Sequence, residues 1–264
     1  MARQLLSLRW ILTTLLVIAG VGVLIRLGVW QLDRLAQRRA FNAQVSAQLA
    51  APRLDLDAAA NAPDLAAMEY RAVTVSGTYD FEQQVALRNQ VSQGEPGVHL
   101  ITPLLIAGTD EFVLVDRGWI PLEDADPVRW GKYDQPGVVT VEGVMRNGFV
   151  KRGLAGRADP PLAPGQDRLA VWNWPDVKRM VSQLDRPGLP VYVQQLPAGD
   201  QQSLPRSEAL ELDLSEGPHQ GYALQWFSFA AILAIGYPFF VVHQLKAKHP
   251  ARDEADFEVI GKER

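Results

Sequence analysis

The sequence predicts a membrane protein in which two transmembrane α-helices flank an α+β extramembrane domain with a mostly antiparallel β-sheet. Two stretches of the 264-residue chain, one near each end, are nearly free of charge. The polar segment between them holds a series of short β-branched runs separated by turn residues. We therefore expect an N-terminal segment over 1–9, a first span over 10–30, a domain over 31–218, a second span over 219–242 and a tail over 243–264.

The first apolar stretch, WILTTLLVIAGVGVLI, runs from Trp10 to Ile25. As a helix it rises about 24 Å, which is less than the ~30 Å hydrocarbon core. The helix can continue through Arg26, because an arginine near the end of a span reaches the headgroups, and Trp10 and Trp30 then lie at the two interfaces. A cleaved signal peptide is the alternative. The helical pattern continuing into WQLDRLAQRR, with no clear A-x-A site, favours an uncleaved anchor.

The second stretch, from Tyr222 to Val242, contains no formal charge and would rise about 31 Å as a helix. Pro238 lies near its end, where a proline is tolerated. Basic residues set the orientation of a span, since they stay in the cytoplasm. The segment after this stretch is basic and the one before it is acidic, which places the C-terminus in the cytoplasm. The charges around the first span are ambiguous, but two spans put both termini on the same side, so we expect the N-terminus to be cytoplasmic as well. The basic residues are His243, Lys246, Lys248 and Arg252; the acidic ones are Glu208, Glu211, Asp213 and Glu216.

The central segment begins with a helical pattern from Gln31 to about Leu49 and then changes to strands. The predicted strands, which favour an antiparallel meander or a small barrel, are 71–80, 83–90, 98–106, 111–121, 138–148 and 189–196. A short helix is predicted from Trp174 to Leu184, with Pro175 in its first turn.

Composition and motifs argue against most kinds of catalysis. The chain has no cysteine and a net charge of -4, so we expect neither thiolate chemistry nor a nucleic-acid partner. It also lacks the hydrolase, nucleotide-binding and zinc-protease motifs. A membrane-anchored hydrolase would need paired acids in a pocket near Asp116. We interpret the nearby carboxylates as solvated loop acids and His99 as a structural imidazole; these carboxylates are Asp116, Glu123, Asp124 and Asp126.

His219 stands just before the second span and is the strongest candidate for a ligand. On a helix it shares one face with aromatic and small residues: Tyr222, Ala223, Trp226 and Ala230. Such a face suits a flat metallated ring whose iron the imidazole binds. The alternative is that His219 caps the helix and the aromatic residues form an interfacial belt. At the outer end of the first helix, residues that can face His219 are Gly28, Trp30, Gln31 and Arg34; Arg34 would meet a propionate or anchor at lipid phosphates.

Three motifs, LGVWQLDRLAQR, VDRGWIP and HQGYALQWFSFA, together resemble the surfeit locus protein 1 family over the whole layout of the chain. The resemblance implies a non-enzymatic assembly factor in the bacterial inner (plasma) membrane, with a periplasmic domain. It would bind haem a and assist its insertion into the catalytic subunit of haem–copper cytochrome c oxidase, with haem a synthase and the lipid bilayer as further partners.

By the same resemblance, His219 matches the histidine of the pattern H-x-x-Y-A-x-x-W-F and would bind the haem iron. Tyr222, Trp226, Trp30 and Arg34 would complete the cofactor site. Gly28 and Gln31 match the first motif, and Arg117 and Gly118 match the middle one, where the RGW segment can equally be a structural strand end. The alternative function is a cofactor-free membrane scaffold that binds oxidase subunits during assembly.

Overall fold

The computed structural model describes residues 7–59, 64–149, 159–199 and 203–247. They form two compact units. One contains the chain up to Asn42 together with the chain from Leu214 onward, and the other comprises Ala43–Asp213. The first unit is a pair of long helices and the second is a β-rich domain.

The two long helices and the six long strands follow the predicted order, whereas three short elements of two to four residues were not predicted. The α-helices are α1 (Leu8–Ala50), α2 (Leu56–Ala59), α3 (Val177–Val181) and α4 (His219–Ala247). The strands are β1 (Leu54–Asp55), β2 (Ala72–Tyr79), β3 (Val85–Ser92), β4 (Glu95–Ile106), β5 (Phe112–Pro121), β6 (Val138–Asn147), β7 (Val171–Trp172) and β8 (Gly188–Gln195).

Helices α1 and α4 are both long and apolar enough to cross a membrane, and most of their apolar side chains are exposed. This confirms the prediction of one candidate membrane helix near each end. Helix α1 continues without interruption from the apolar stretch through WQLDRLAQRR, as its helical pattern predicts. Helix α4 continues through Pro238.

The two long helices pack antiparallel. Thr14 Oγ1 hydrogen-bonds the Tyr237 hydroxyl at 2.6 Å. Farther along, a Cβ atom on Gly20 would lie 3.3 Å from Leu233. Small and hydroxyl-bearing residues bring helices close together in an apolar solvent, where burial of hydrocarbon gives no driving force between them.

The domain is built on a five-stranded closed barrel. Around the barrel the strands follow the order β2, β6, β8, β5 and β4, and β4 pairs with β2 to close it. Every pairing in this circle is antiparallel except that of β5 with β8. The prediction of a mostly antiparallel sheet is therefore confirmed. Strands β3 and β7 extend the sheet beyond β4, and β1 extends it beyond β2.

Alternating apolar residues fill the barrel, as the period of two in a strand requires. Val73, Val113 and Val193 are fully buried members of this core. A second cluster lies on the outer face, where Trp172 and Met180 cover Leu114. Helix α3, which supplies Met180, is shorter than the predicted 174–184. Asp176 starts it late, by accepting a hydrogen bond from the Arg179 amide at 3.1 Å.

The interpretation of the acids as solvated loop residues is wrong for Asp116 and Asp124, which are 7% and 4% exposed. Asp124 accepts a hydrogen bond from the Tyr133 hydroxyl at 2.5 Å and pairs with Lys132 at 2.7 Å. Hydrogen bonds from Lys132 and Tyr133 hold the pKa of Asp124 below its ordinary value. Glu123 and Asp126 are exposed, as predicted.

Candidate functional site

Helices α1 and α4 are closely packed at Gly28. A Cβ atom there would lie 2.7 Å from the ring of Phe227, which is closer than any real side chain tolerates. Gly28 is buried, as are Gln31 and Leu35, one and two turns farther along the same face of α1. This face of α1 is therefore the one that meets α4.

One turn along from Gly28, Gln31 meets His219. The His219 Nδ1 atom lies 2.8 Å from Gln31 Oε1, and Gln31 is only 8% exposed. A carbonyl oxygen only accepts, so Nδ1 carries the proton and Nε2 of the neutral imidazole has a free lone pair. The partner on Nδ1 therefore leaves Nε2 as the ring nitrogen that is available to a ligand.

The other side of the His219 ring is left open by Gly217. A Cβ atom on Gly217 would lie 3.7 Å from His219 Nε2 and 3.6 Å from Cδ2. Gly217 has φ +69°, a left-handed conformation that favours glycine. A Cβ atom there would make ordinary van der Waals contact with the ring, so it is the positive φ that favours glycine in the turn before α4.

The remaining predicted site residues lie around this pair at different depths. Tyr222 and Trp30 are each 47% exposed. Trp226 is half-buried and makes an edge-on contact with Phe229, with ring centroids 6.2 Å apart. Arg34 is exposed and donates to Gln37 Oε1 at 2.8 Å. Of the predicted partners from α1, Gln31 contacts His219 and Gly28 lies against Phe227.

The segment before His219 is bound to α1 by polar contacts. Arg39 forms a two-pronged ion pair with Glu216, with both N–O distances 2.8 Å. Arg38 donates to the Ser215 carbonyl at 2.9 Å, and Asn42 donates to the Leu214 carbonyl at 2.6 Å. The hydrogen bond and charge of Arg39 lower the pKa of Glu216. These contacts fix where the chain enters α4 and so help to place His219.

In the domain, the RGW motif forms a structural bulge within β5. Asp116 pairs with Ile101 and Gly118 with Leu100, which leaves Arg117 as the extra residue. Arg117 is 2% exposed and lies against the rings of Tyr79 and Phe81, at 5.0 and 5.3 Å. Burial lowers its pKa, although the charge of Asp134 opposes this.

Gly118 and Trp119 complete the bulge. Gly118 has φ +112°, and a Cβ atom there would lie 2.2 Å from the Arg206 carbonyl oxygen. This close approach allows Trp119 and Arg206 to exchange backbone hydrogen bonds at 2.9 and 2.8 Å. The motif thus joins β5 to the segment that follows β8, which favours the structural interpretation of RGW.

His99 lies beside this bulge and pairs with Asp116 at 3.0 Å. Burial lowers the pKa of His99, but the charge and hydrogen bond of Asp116 and the charge of Glu208 outweigh it, so the pKa is raised. Within the described ranges, no three His, Asp or Glu side chains are grouped to hold a metal ion. A haem iron has no need of such a group, since one imidazole nitrogen is a sufficient protein ligand.

Together these features define the class of protein: a small β-barrel domain carried between two candidate membrane helices, with an imidazole positioned where they meet. The model of the SURF1 family matches residues 18–231, so the chain belongs to that family, whose members are known generally as cytochrome c oxidase assembly factors.

Individual relatives agree with this assignment. A SURF1-like protein of Monosiga brevicollis is 31% identical over 226 residues, which is 78% of each chain. An uncharacterized SURF1-like protein of Mycobacterium bovis is 25% identical over 90% of this chain and 86% of its own. A SURF1-like protein of Caenorhabditis briggsae is 23% identical over 66% of this chain and 59% of its own.

The sequence alone does not distinguish Phe227, nor does it show the ion pair between Arg39 and Glu216. Phe227 reads as one of many apolar residues in a span, and only its contact with Gly28 distinguishes it. Arg39 and Glu216 are 177 positions apart. The sequence signal for this ion pair is that basic residues follow the first span and acidic residues precede the second.

Proposed function

We propose that this protein assists the assembly of haem–copper cytochrome c oxidase by binding haem a through His219 and delivering it to the catalytic subunit. The observation that carries the proposal is the hydrogen bond between His219 Nδ1 and Gln31 Oε1 at 2.8 Å. A histidine that binds a metal donates its other ring N–H to such an acceptor. Haem a, when bound, would supply an iron that accepts an imidazole nitrogen as a ligand.

The residues around His219 have distinct parts in this proposal. Gln31 keeps the proton on Nδ1 and so keeps Nε2 available. Trp226 and Tyr222 offer aromatic surface on α4, and Trp30 offers it on α1. Arg34 has further N–H groups beyond the one given to Gln37, and these suit a propionate. The exposed position of Tyr222 and Trp30 fits a site that must release its ligand to another protein.

We place the protein in the bacterial inner membrane, with both termini cytoplasmic and the domain periplasmic. The charge asymmetry around the second span supports this orientation. The haem site then lies at the periplasmic end of the helix pair, since His219 is the first residue of α4. In this role the protein binds and transfers a cofactor made by haem a synthase, and it catalyses no reaction itself.

The test is an optical spectrum of the full chain purified from cells that also express the haem a synthesis enzymes. We expect a haem a spectrum that His219→Ala abolishes while membrane insertion is unchanged. His243→Ala is the matched control, because His243 is exposed near the other end of α4. It should keep the spectrum.

A colourless wild-type protein, or haem a retained in His219→Ala, would contradict haem transfer by this residue. The alternative is a cofactor-free scaffold that binds oxidase subunits through its domain, and the buried RGW motif helps to hold that domain together. In that case oxidase subunits should co-purify with the protein from a strain without haem a. Substitutions at Gly118 or Trp119 should then weaken co-purification more than His219→Ala does.

A further inference from the structure

The domain contains a polar cavity that the haem proposal does not use. Its volume is about 560 Å³, which lies within the range of small-molecule sites. The cavity lies between the segment from Arg206 to Glu211 and polar side chains of β6 and β8, Arg146 and Gln194. Its other lining residues include Val91, Gln93 and Pro197.

Two arginines line this cavity, and each is supported by an aromatic ring. The Arg146 guanidinium lies 5.0 Å from the ring centre of Tyr70, and that of Arg206 lies 5.1 Å from the ring centre of Trp119. Stacking of this kind holds the planar group in place while its N–H edge stays available.

The arginines are incompletely paired. Arg146 donates to Gln194 Oε1 at 2.8 Å and has a long contact with Glu69 at 3.5 Å. Arg206 donates to Ser92 Oγ at 3.2 Å and forms no ion pair within the described part of the chain. Its Nε–H is buried and has no acceptor among the described residues. A buried donor without an acceptor is uncommon in folded proteins, and a ligand oxygen would satisfy it.

Two carboxylates also line the cavity, and they limit the charge it can accept. The charge of Glu208 contributes to the raised pKa of His99, after burial and the larger effects of Asp116. Glu211 is exposed to solvent. Neither carboxylate accepts a hydrogen bond from the buried Arg206 Nε–H in the described part of the chain.

We propose that this cavity is a binding site for a small anion carrying a phosphate or carboxylate group, which Arg146 and Arg206 bind. Arginine suits such a group because its planar fork of donors matches two oxygens at once. The ligand is either a free metabolite or the headgroup of an anionic lipid, since both present the same oxygens. The site is independent of haem binding.

The test titrates inorganic phosphate, and separately acetate, into the full-length protein in neutral detergent and measures the heat of binding. Arg206→Gln and Arg146→Gln are each expected to weaken binding by roughly tenfold or more. Arg186→Gln is the control, since Arg186 is an exposed arginine outside the cavity that pairs with Asp110. It should bind as the wild type does.

Glu211→Gln supplies a result of opposite sign and changes only an exposed side chain. It should strengthen phosphate binding, because it removes a negatively charged carboxylate from the wall of the cavity. A second arm repeats the titration in phosphatidylcholine nanodiscs with and without phosphatidylglycerol. Weaker apparent phosphate binding with phosphatidylglycerol identifies a lipid headgroup as the ligand, and unchanged binding identifies a free anion. No heat with either anion, or heat unaffected by both arginine variants, would overturn the proposal.

Discussion

Gly28 of α1 lies against the ring of Phe227 in α4, in a space too small for a single methyl group. The hydrogen bond between Gln31 and His219 lies one turn along α1 from this contact. The distance between the helices at Gly28 thus determines whether Gln31 reaches the imidazole. Gly28 is therefore part of the candidate site, although it has no side chain that could contact a ligand.

Gly28→Ala should separate the helices and destabilise their packing by about 1–3 kcal/mol, the usual cost of inserting a methyl group into a filled space. Gly22→Ala is the matched control, because a Cβ atom there meets nothing within 4 Å. Both variants gain the same helix propensity, so their difference isolates the contact with Phe227. Reversible unfolding in mixed micelles measures it, and equal stability of the two variants would count against the close packing.

Gln31→Leu should lower the affinity for haem by about 10- to 100-fold, as loss of a partner behind a metal-binding histidine does. The reason is that Nδ1 then loses its acceptor and the proton is no longer confined to that nitrogen. Gln31→Glu keeps an acceptor and should bind more tightly than Gln31→Leu. Optical titration with haem measures the affinities. Wild-type affinity in Gln31→Leu, with binding lost in His219→Ala, would show that His219 acts without this partner.

Gly118→Ala should destabilise the domain by more than Gly108→Ala. Both glycines have a positive φ, +112° and +77°, so alanine is strained at either position, by about 1–3 kcal/mol. Only at Gly118 does the new methyl group meet backbone, 2.2 Å from the Arg206 carbonyl oxygen. Thermal unfolding of the full chain followed by circular dichroism compares them. A smaller loss of stability in Gly118→Ala than in Gly108→Ala would mean that the segment at Arg206 moves to accommodate the methyl group.

His99 should make the domain's stability depend on pH. Its pKa is raised in the folded state, so protonation favours folding. This contribution is complete below the ordinary histidine pKa of about 6.5 and is lost as the pH rises through the higher folded value. In Asp116→Asn, burial should dominate and the pKa of His99 should fall. NMR titration of the imidazole measures both values, and an unchanged pKa would contradict the role of Asp116.

Sequence patterns were sufficient to predict the two long helices and the six long strands of this protein, but not the short elements β1, α2 and β7. Uninterrupted apolar stretches are locally encoded, so α1 and α4 were predicted from Trp10–Ile25 and Tyr222–Val242 alone. Alternating β-branched residues are local in the same way, and the observed β2, β5 and β6 begin and end within one residue of the predicted strands. The family motifs also lie on short continuous segments, which is why the resemblance to the family was visible.

Burial and pairing were decided by the tertiary structure. Asp116 reads as a loop acid until β4 brings His99 beside it. The bulge at Arg117 depends on the register between β4 and β5, and closure of the barrel depends on pairing between β2 and β4. The partner of His219 lies 188 positions away, on the other helix. Contacts between residues so distant in sequence arise from the packing of whole elements, and no local pattern specifies them. Local sequence patterns therefore determined the long helices, the long strands and the family, whereas the tertiary structure determined which side chains meet.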